Sequence, residues 1–287
     1  MPPDWPYRDS IRRVTSRPHN WCVIDTGPAE RPALLLLHGA GGSGHSFRNM
    51  IPLLAKTHRV IVPDLPGQGF TRPGSRSRYG LDPMTEDIAT LCKTMQVEPR
   101  FAIGHSAGAA IALRLAERMP LSGVVGINAA LGSFEGAAGV MFPLLARALA
   151  VTPFVPQLVS KLWGNPQTVA RLLASTGSPL DPAGQAQYLK LVQDAAHVDG
   201  TLGMMAQWRL DGLMAQLPAL ATPVLLVASG GDKAVPSRVS ADAARHMKNA
   251  RYAEIAGYGH LVHEEAADAV AAIMLPWLSE QEETSAE

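Results

Sequence analysis

Ser106, Asp232 and His260 have the residue types for acyl transfer, and each stands in a setting that suits it. Ser106 is the centre of Gly104-His-Ser-Ala-Gly108. The apolar run Phe101-Ala-Ile103 precedes that pentapeptide and fits a buried strand. The Ala- and Leu-rich stretch 107–117 follows it and reads as a helix. A serine in a tight strand-to-helix turn has strained backbone and an exposed hydroxyl. Small residues at 104 and 108 let neighbouring backbone close in. A Gly-x-Ser-x-Gly sequence also arises by chance as a turn without chemistry, and the strand–turn–helix context separates the two readings.

A serine hydroxyl is a poor nucleophile until a histidine takes its proton, and that imidazole needs a carboxylate to orient it. Asp232 lies in Ser229-Gly-Gly-Asp-Lys-Ala-Val-Pro236, just past an apolar run at 223–228. His260 lies in Gly257-Tyr-Gly-His-Leu261, past a run ending at Ala256. Singly, the lesser alternative for Asp232 is a turn or helix-capping residue and for His260 a surface loop histidine; the three together are a stronger signal. The developing oxyanion needs backbone N–H donors. Ala107 should supply one. Ala40, in the loop His38-Gly-Ala-Gly-Gly-Ser-Gly44, should supply the other. That loop could instead cradle phosphate, but it has neither the Gly-Lys-Ser/Thr ending nor the Gly-x-Gly-x-x-Gly spacing of such sites. The expected pocket residues are His38, Gly39, His105, Met204, Met205, Trp208 and Leu261. No metal site is expected, since His45, His197 and His263 have no partner at metal-ligand spacing. Asp64 is expected to fix the loop after its strand.

Strands must place these loops on one edge. Strand patterns fall at 10–17, 20–26, 33–37, 59–63, 101–103, 122–128, 223–228 and 251–256. Helical patterns fall between them at 47–56, 83–95, 107–119, 237–247 and 266–278. The alternation implies an α/β fold with a mostly parallel sheet covered on both faces, its site at the carboxyl ends of the strands. It breaks between 131 and 217. There the patterns are helical, at 141–151, 154–162, 168–175, 181–195 and 202–213. Such an insertion reads as a helical cap, with residues 1–130 and 218–279 forming the core and 280–287 a disordered tail. Its Phe134, Met141, Phe142, Phe154, Trp163, Met204, Met205, Trp208 and Met214 are expected mostly to pack the cap's own core, with a minority facing the pocket.

Composition narrows the class. The 287 residues suffice for one large domain with an insertion, or for two small ones. Zero formal net charge gives no support for a nucleic-acid partner. Cys22 and Cys92 fit neither metal spacing nor a disulfide framework and read as reduced thiols of a cytoplasmic protein. No signal peptide and no membrane-spanning run are expected.

His38-Gly39, Asp64-Leu-Pro-Gly-Gln-Gly69, Gly104-His-Ser-Ala-Gly108, Gly231-Asp-Lys-Ala-Val-Pro236 and Gly259-His260 together resemble the α/β-hydrolase superfamily across nearly the whole chain. In that family the order is serine, acid, histidine, as here. A serine at the elbow argues against its dehalogenases and epoxide hydrolases, which carry Asp there. A closer resemblance, to the magnesium chelatase accessory proteins of bacteriochlorophyll biosynthesis, rests on Asp4-Trp-Pro, Gly67-Gln-Gly-Phe-Thr-Arg-Pro73 and Gly104-His-Ser-Ala-Gly-Ala-Ala110. In the cap it rests on Leu172-Leu-Ala-Ser-Thr-Gly-Ser-Pro-Leu-Asp-Pro182 and Gly203-Met-Met-Ala-Gln-Trp208. It implies an accessory role in tetrapyrrole metallation or modification, with magnesium chelatase subunits as candidate partners; no cofactor is expected. Two functions stand: a serine hydrolase for an ester of a bulky apolar molecule, such as a tetrapyrrole, or a non-catalytic porphyrin-binding or chelatase-assisting protein on a hydrolase scaffold. A general carboxylesterase is a further alternative.

Overall fold

The apolar runs form strands whose side chains alternate between two cores. In β3 (Ala33–Leu37), Leu35 and Leu37 enter one hydrophobic cluster while Leu34 and Leu36 enter the other. A period of two across a sheet buried on both faces explains why such runs are continuously apolar. The structure, a computed structural model, describes residues 1–132, 152 and 154–284. Its eight strands are β1 (Ile11–Ser16), β2 (His19–Thr26), β3, β4 (Arg59–Pro63), β5 (Pro99–His105), β6 (Gly123–Ile127), β7 (Val224–Ser229) and β8 (Ala250–Ile255). They form one sheet in the order β1-β2-β4-β3-β5-β6-β7-β8. β1 and β2 pair antiparallel, as do β2 and β4; the other pairs are parallel.

The helices, in chain order, are α1 (Ile51–Leu54), α2 (Leu81–Met95), α3 (Ala107–Leu115), α4 (Val155–Trp163), α5 (Pro166–Ser175), α6 (Pro182–Val192), α7 (Ala195–Gln207), α8 (Asp211–Gln216), α9 (Ser237–His246), α10 (Val262–Glu265) and α11 (Ala267–Thr284). α2, α3 and α9 cover one face of the sheet, while α1, α10 and α11 cover the other.

Three elements differ from the sequence expectation. The helix anticipated at 47–56 is a 3-10 turn, Gly44–Phe47, followed by the single turn of α1. Pro52 stands at the start of α1, where its missing N–H costs nothing, but it cannot sit deeper in a longer helix. The pattern at 202–213 divides into α7 and α8 around Trp208. α7 begins early because the Asp194 side chain accepts from Ala196 N, and its two glycines let it press on the core. A Cβ at Gly200 would lie 2.0 Å from Gly67 O, and one at Gly203 2.5 Å from Tyr79 Cδ2. The tail expected from 280 is helical to Thr284, because Leu278 and Gln281 of α11 are buried.

Between β6 and β7 the described residues form α4–α8 and no strand. Phe134, Met141, Phe142 and the helix expected at 141–151 lie outside the described residues. The inserted helices contact loops at the carboxyl ends of β3, β4, β7 and β8. His197 of α7 donates from Nε2 to Gly41 O (3.2 Å) and accepts at Nδ1 from Gly69 N (2.9 Å). The N-terminal segment joins them: Asp4 pairs with Lys190 of α6 (2.6 Å), and buried Trp5 lies edge-on to Phe70.

Candidate active site

β5 delivers Ser106 and α3 begins immediately after it. Ser106 sits at φ 52°, ψ −117°, a conformation side chains rarely adopt, and its N–H donates to Ile127 O (2.9 Å). The turn closes because its flanks lack side chains. A Cβ at Gly104 would lie 2.2 Å from Gly108 O, and one at Gly108 2.0 Å from Leu37 O. Ser106 is partly exposed, between a buried strand and a buried helix.

His260 and Asp232 come together across the β7 and β8 loops. His260 Nδ1 donates to Asp232 Oδ2 at 2.7 Å. Asp232 Oδ1 accepts from the amides of Ala234 (2.7 Å) and Val235 (2.8 Å), which aims the other oxygen at the imidazole. An imidazole whose Nδ1–H is so held carries its lone pair on Nε2, the nitrogen able to take a proton. Asp232 thus caps a turn with one oxygen and holds the histidine with the other.

The loop after β3 brings Gly39 against the elbow. A Cβ there would lie 3.1 Å from Ser106 Cβ and 2.9 Å from His105 Nδ1. Ala40 is exposed at the loop tip, and Ala107 opens α3. Asp64 ties this loop to the one after β4, accepting from Gly44 N at Oδ1 and Phe70 N at Oδ2, each at 2.7 Å. Its burial raises its pKa to about 6. Gly41 N donates to Gln68 Oε1 (2.7 Å).

Several residues expected in a pocket make structural contacts. His38 is fully buried, with Nδ1 donating to Gly39 O (2.8 Å) and Nε2 accepting from Leu65 N (2.9 Å). Burial lowers its pKa to about 3, so it is a neutral brace beneath the loop. His105 points under the His260 loop, donating from Nε2 to His260 O (2.9 Å), and burial holds it neutral too. Met204 is buried in the main core and accepts from Gln68 Nε2 at its sulfur (3.0 Å). Trp208 is half-buried against that core, and Met205 is half-buried. Leu261 packs with Val169 and Leu173 of α5. Phe154, Trp163 and Met214, expected inside the insertion, are 79%, 49% and 37% exposed.

Two residues that hold the site, Asn128 and Ser229, were not among the expected site residues. Asn128, at φ 45°, donates from Nδ2 to His260 O (2.8 Å), Gly259 O (3.2 Å) and Ser229 Oγ (2.9 Å). Ser229 N returns a bond to Asn128 Oδ1 (2.8 Å), and Ser229 Oγ donates to Gly259 O (2.5 Å). The available signal was a polar residue ending each of two apolar strands. Beneath the loops, Glu264 pairs with Arg48 and accepts from Tyr188 Oη (2.7 Å); burial still raises its pKa to about 7. His263 is fully buried against His105 and Phe47, and neither ring nitrogen has a hydrogen-bond partner among the described residues. The described residues hold no cluster suited to a metal and no helix long and apolar enough to cross a membrane. Cys22 and Cys92 are buried free thiols, pushed up in pKa by burial.

Comparison with known proteins agrees with this architecture. Residues 32–267 match the family described as the alpha/beta hydrolase fold. The chain is 54% identical over 278 residues to the magnesium-chelatase 30 kDa subunit of Rhodobacter capsulatus, a match covering 97% of this chain and 98% of that protein. Among solved structures, a thermophilic esterase from Thermogutta terrifontis superposes with TM-score 0.75 at 22% identity, covering 94% of this chain and 99% of that one. A haloalkane dehalogenase variant from Bradyrhizobium elkanii gives the same TM-score at 21% identity, covering 96% and 98%. An esterase and a dehalogenase at equal distance show the fold and leave the chemistry open. By its sequence match and its sheet, the chain belongs to the α/β-hydrolase fold family, in company with the Rhodobacter magnesium-chelatase 30 kDa subunit.

Proposed function

We propose that the chain is a serine hydrolase that cleaves an ester of a bulky, mainly apolar molecule through Ser106, His260 and Asp232. The observation that supports this reading is the 2.7 Å His260 Nδ1–Asp232 Oδ2 hydrogen bond, on the same carboxyl edge of the sheet as the strained serine that ends β5. A pure binding protein has no use for that combination. In the proposed reaction His260 Nε2 takes the Ser106 hydroxyl proton as Oγ attacks the ester carbonyl carbon. The Ala107 and Ala40 amides face the oxyanion. Collapse of the intermediate expels the alcohol, protonated by the imidazolium, and leaves an acyl-serine. A water activated by the same nitrogen then releases the acid. The helices of 131–217 act as a cap that supplies the apolar contacts, with Met205 and Trp208 offered as pocket residues.

The likeness to a protein named as a magnesium-chelatase subunit supports a place beside magnesium chelatase, with a tetrapyrrole ester as the substrate class and chelatase subunits as partners. It equally favours a second reading, a non-catalytic porphyrin-binding or chelatase-assisting protein. A fluorophosphonate probe with a p-nitrophenyl ester assay separates them. Ser106→Ala should abolish labelling and lower turnover by roughly 10⁴-fold. A wild-type protein that neither labels nor turns over ester, yet binds protoporphyrin IX at micromolar concentration with Trp quenching, would replace the first reading by the second.

A further inference from the structure

The turn 176–178, which follows α5, reaches between the two loops that carry Asp232 and His260. Thr176 O accepts from Lys233 N (3.1 Å) and from His260 N (3.2 Å). One carbonyl thus bonds the residue after the acid and the histidine itself. Ser178, fully buried, accepts at Oγ from Leu261 N (2.8 Å) and donates to Glu265 Oε2 (2.5 Å). The same Glu265 oxygen accepts from Gly259 N (3.1 Å). The amides of Gly259, His260 and Leu261 are therefore all held by Glu265 and this turn. Gly177, at φ 89°, leaves no room for adjustment: a Cβ there would lie 2.4 Å from Gly231 O, and one at Gly259 would lie 2.2 Å from Gly177 C. Next to the turn, Val169 and Leu173 of α5 pack on Leu261.

We infer that the Thr176–Ser178 turn, with Glu265, is a positioning device that couples the seating of the inserted helices to the alignment of His260 with Asp232. The inference rests on the serine-hydrolase reading of this site. Backbone bonds from the insertion set the spacing of the acid and histidine loops. A movement of α5 that carries the turn away releases bonds on the histidine loop and unloads the Leu261 contact. Substrate settled against the inserted helices holds the turn in place, so proton transfer at His260 is efficient only with those helices seated. Ser178 and Glu265 touch no reacting atom; they act through the His260 loop.

The test compares Ser178→Ala, Glu265→Ala and Glu265→Gln. Glutamine keeps an acceptor oxygen for both Ser178 Oγ and Gly259 N. Ser178→Ala and Glu265→Ala should lower kcat for a p-nitrophenyl ester roughly 10- to 100-fold with KM within about twofold, as displaced catalytic groups do. Glu265→Gln should stay within about threefold of wild type. Proton NMR should show a low-field His260 Nδ1–H resonance in wild type and Glu265→Gln that is lost to exchange in the alanine variants. Wild-type kcat and an intact resonance in both alanine variants would overturn the inference, as would a loss expressed in KM alone. If Ser178→Ala does not fold, the Glu265 pair decides. A wild type that shows the resonance but does not react with fluorophosphonate sinks the hydrolase reading, and the resonance comparison still judges the turn.

Discussion

Acid should unfold this protein through its histidines. His38, His45, His105, His197 and His263 are each at most 3% exposed. Burial lowers His38 and His263 to about 3, His197 to about 4, and His45 and His105 well below the ordinary value. A histidine depressed in the native state contributes stability that is complete above its unfolded value of about 6.5 and is lost as pH falls toward the native value. Each gives up to ~1.4 kcal/mol per pH unit over that window. Asp64 and Glu264 act in the opposite sense. Raised to about 6 and about 7, they contribute stability below their unfolded values and lose it as pH rises through the native ones. Near pH 5.5 the seven groups together take up about three protons on unfolding, a slope of about 4 kcal/mol per pH unit. From pH 7 to pH 5 the loss is about 6 kcal/mol, comparable with the ~5–15 kcal/mol that holds an ordinary domain folded. Urea unfolding followed by Trp fluorescence at pH 7.5, 6.5, 5.5 and 5.0 measures the slope. His263→Phe should remove about one proton from it and raise stability at pH 5.5, since His263 has no hydrogen bond to lose. A slope of less than one proton, or one unchanged by His263→Phe, would refute the reasoning.

Two further substitutions probe the frame around the site. Gly108→Ala puts a Cβ 2.0 Å from Leu37 O and 2.7 Å from His38 O, both backbone, so it should cost more than ~3 kcal/mol and yield little soluble protein; a melting temperature within a few degrees of wild type would contradict this. Asn128→Asp keeps an acceptor for Ser229 N but withdraws the donor from His260 O, Gly259 O and Ser229 Oγ. It should cost ~1–3 kcal/mol and lower ester turnover, and wild-type stability and turnover together would show that this hub is dispensable.

The most legible features depend on neighbours in the chain. The 33–37, 59–63 and 223–228 runs read as buried strands because fully covered strands need no polar face, and the structure contains them as β3, β4 and β7. The elbow was legible because Gly104 and Gly108 flank the serine whose turn they permit. Asp232 and His260 were legible as candidates because each lies in the loop that follows its strand. The 47–56 helix was overestimated because an apolar period does not register a proline. The order from 280 to 284 was underestimated because polar composition does not register that one face of α11 is buried.

What remained hidden depends on partners far along the chain. His105 reads from the sequence as a pocket residue, and nothing local records its bond to His260 O, 155 positions away. Ser178 had no motif, and its role exists only because the turn after α5 lies between loops 231–233 and 257–261. By itself the sequence determined which segments could be strands, where a strained serine would stand, and which acid and histidine could serve it, because apolar period and glycine freedom act over a few residues. Only the tertiary structure decided which buried polar groups satisfy one another. A hydrogen bond across the sheet's edge is set by the packing of every layer beneath it, and no local pattern records that.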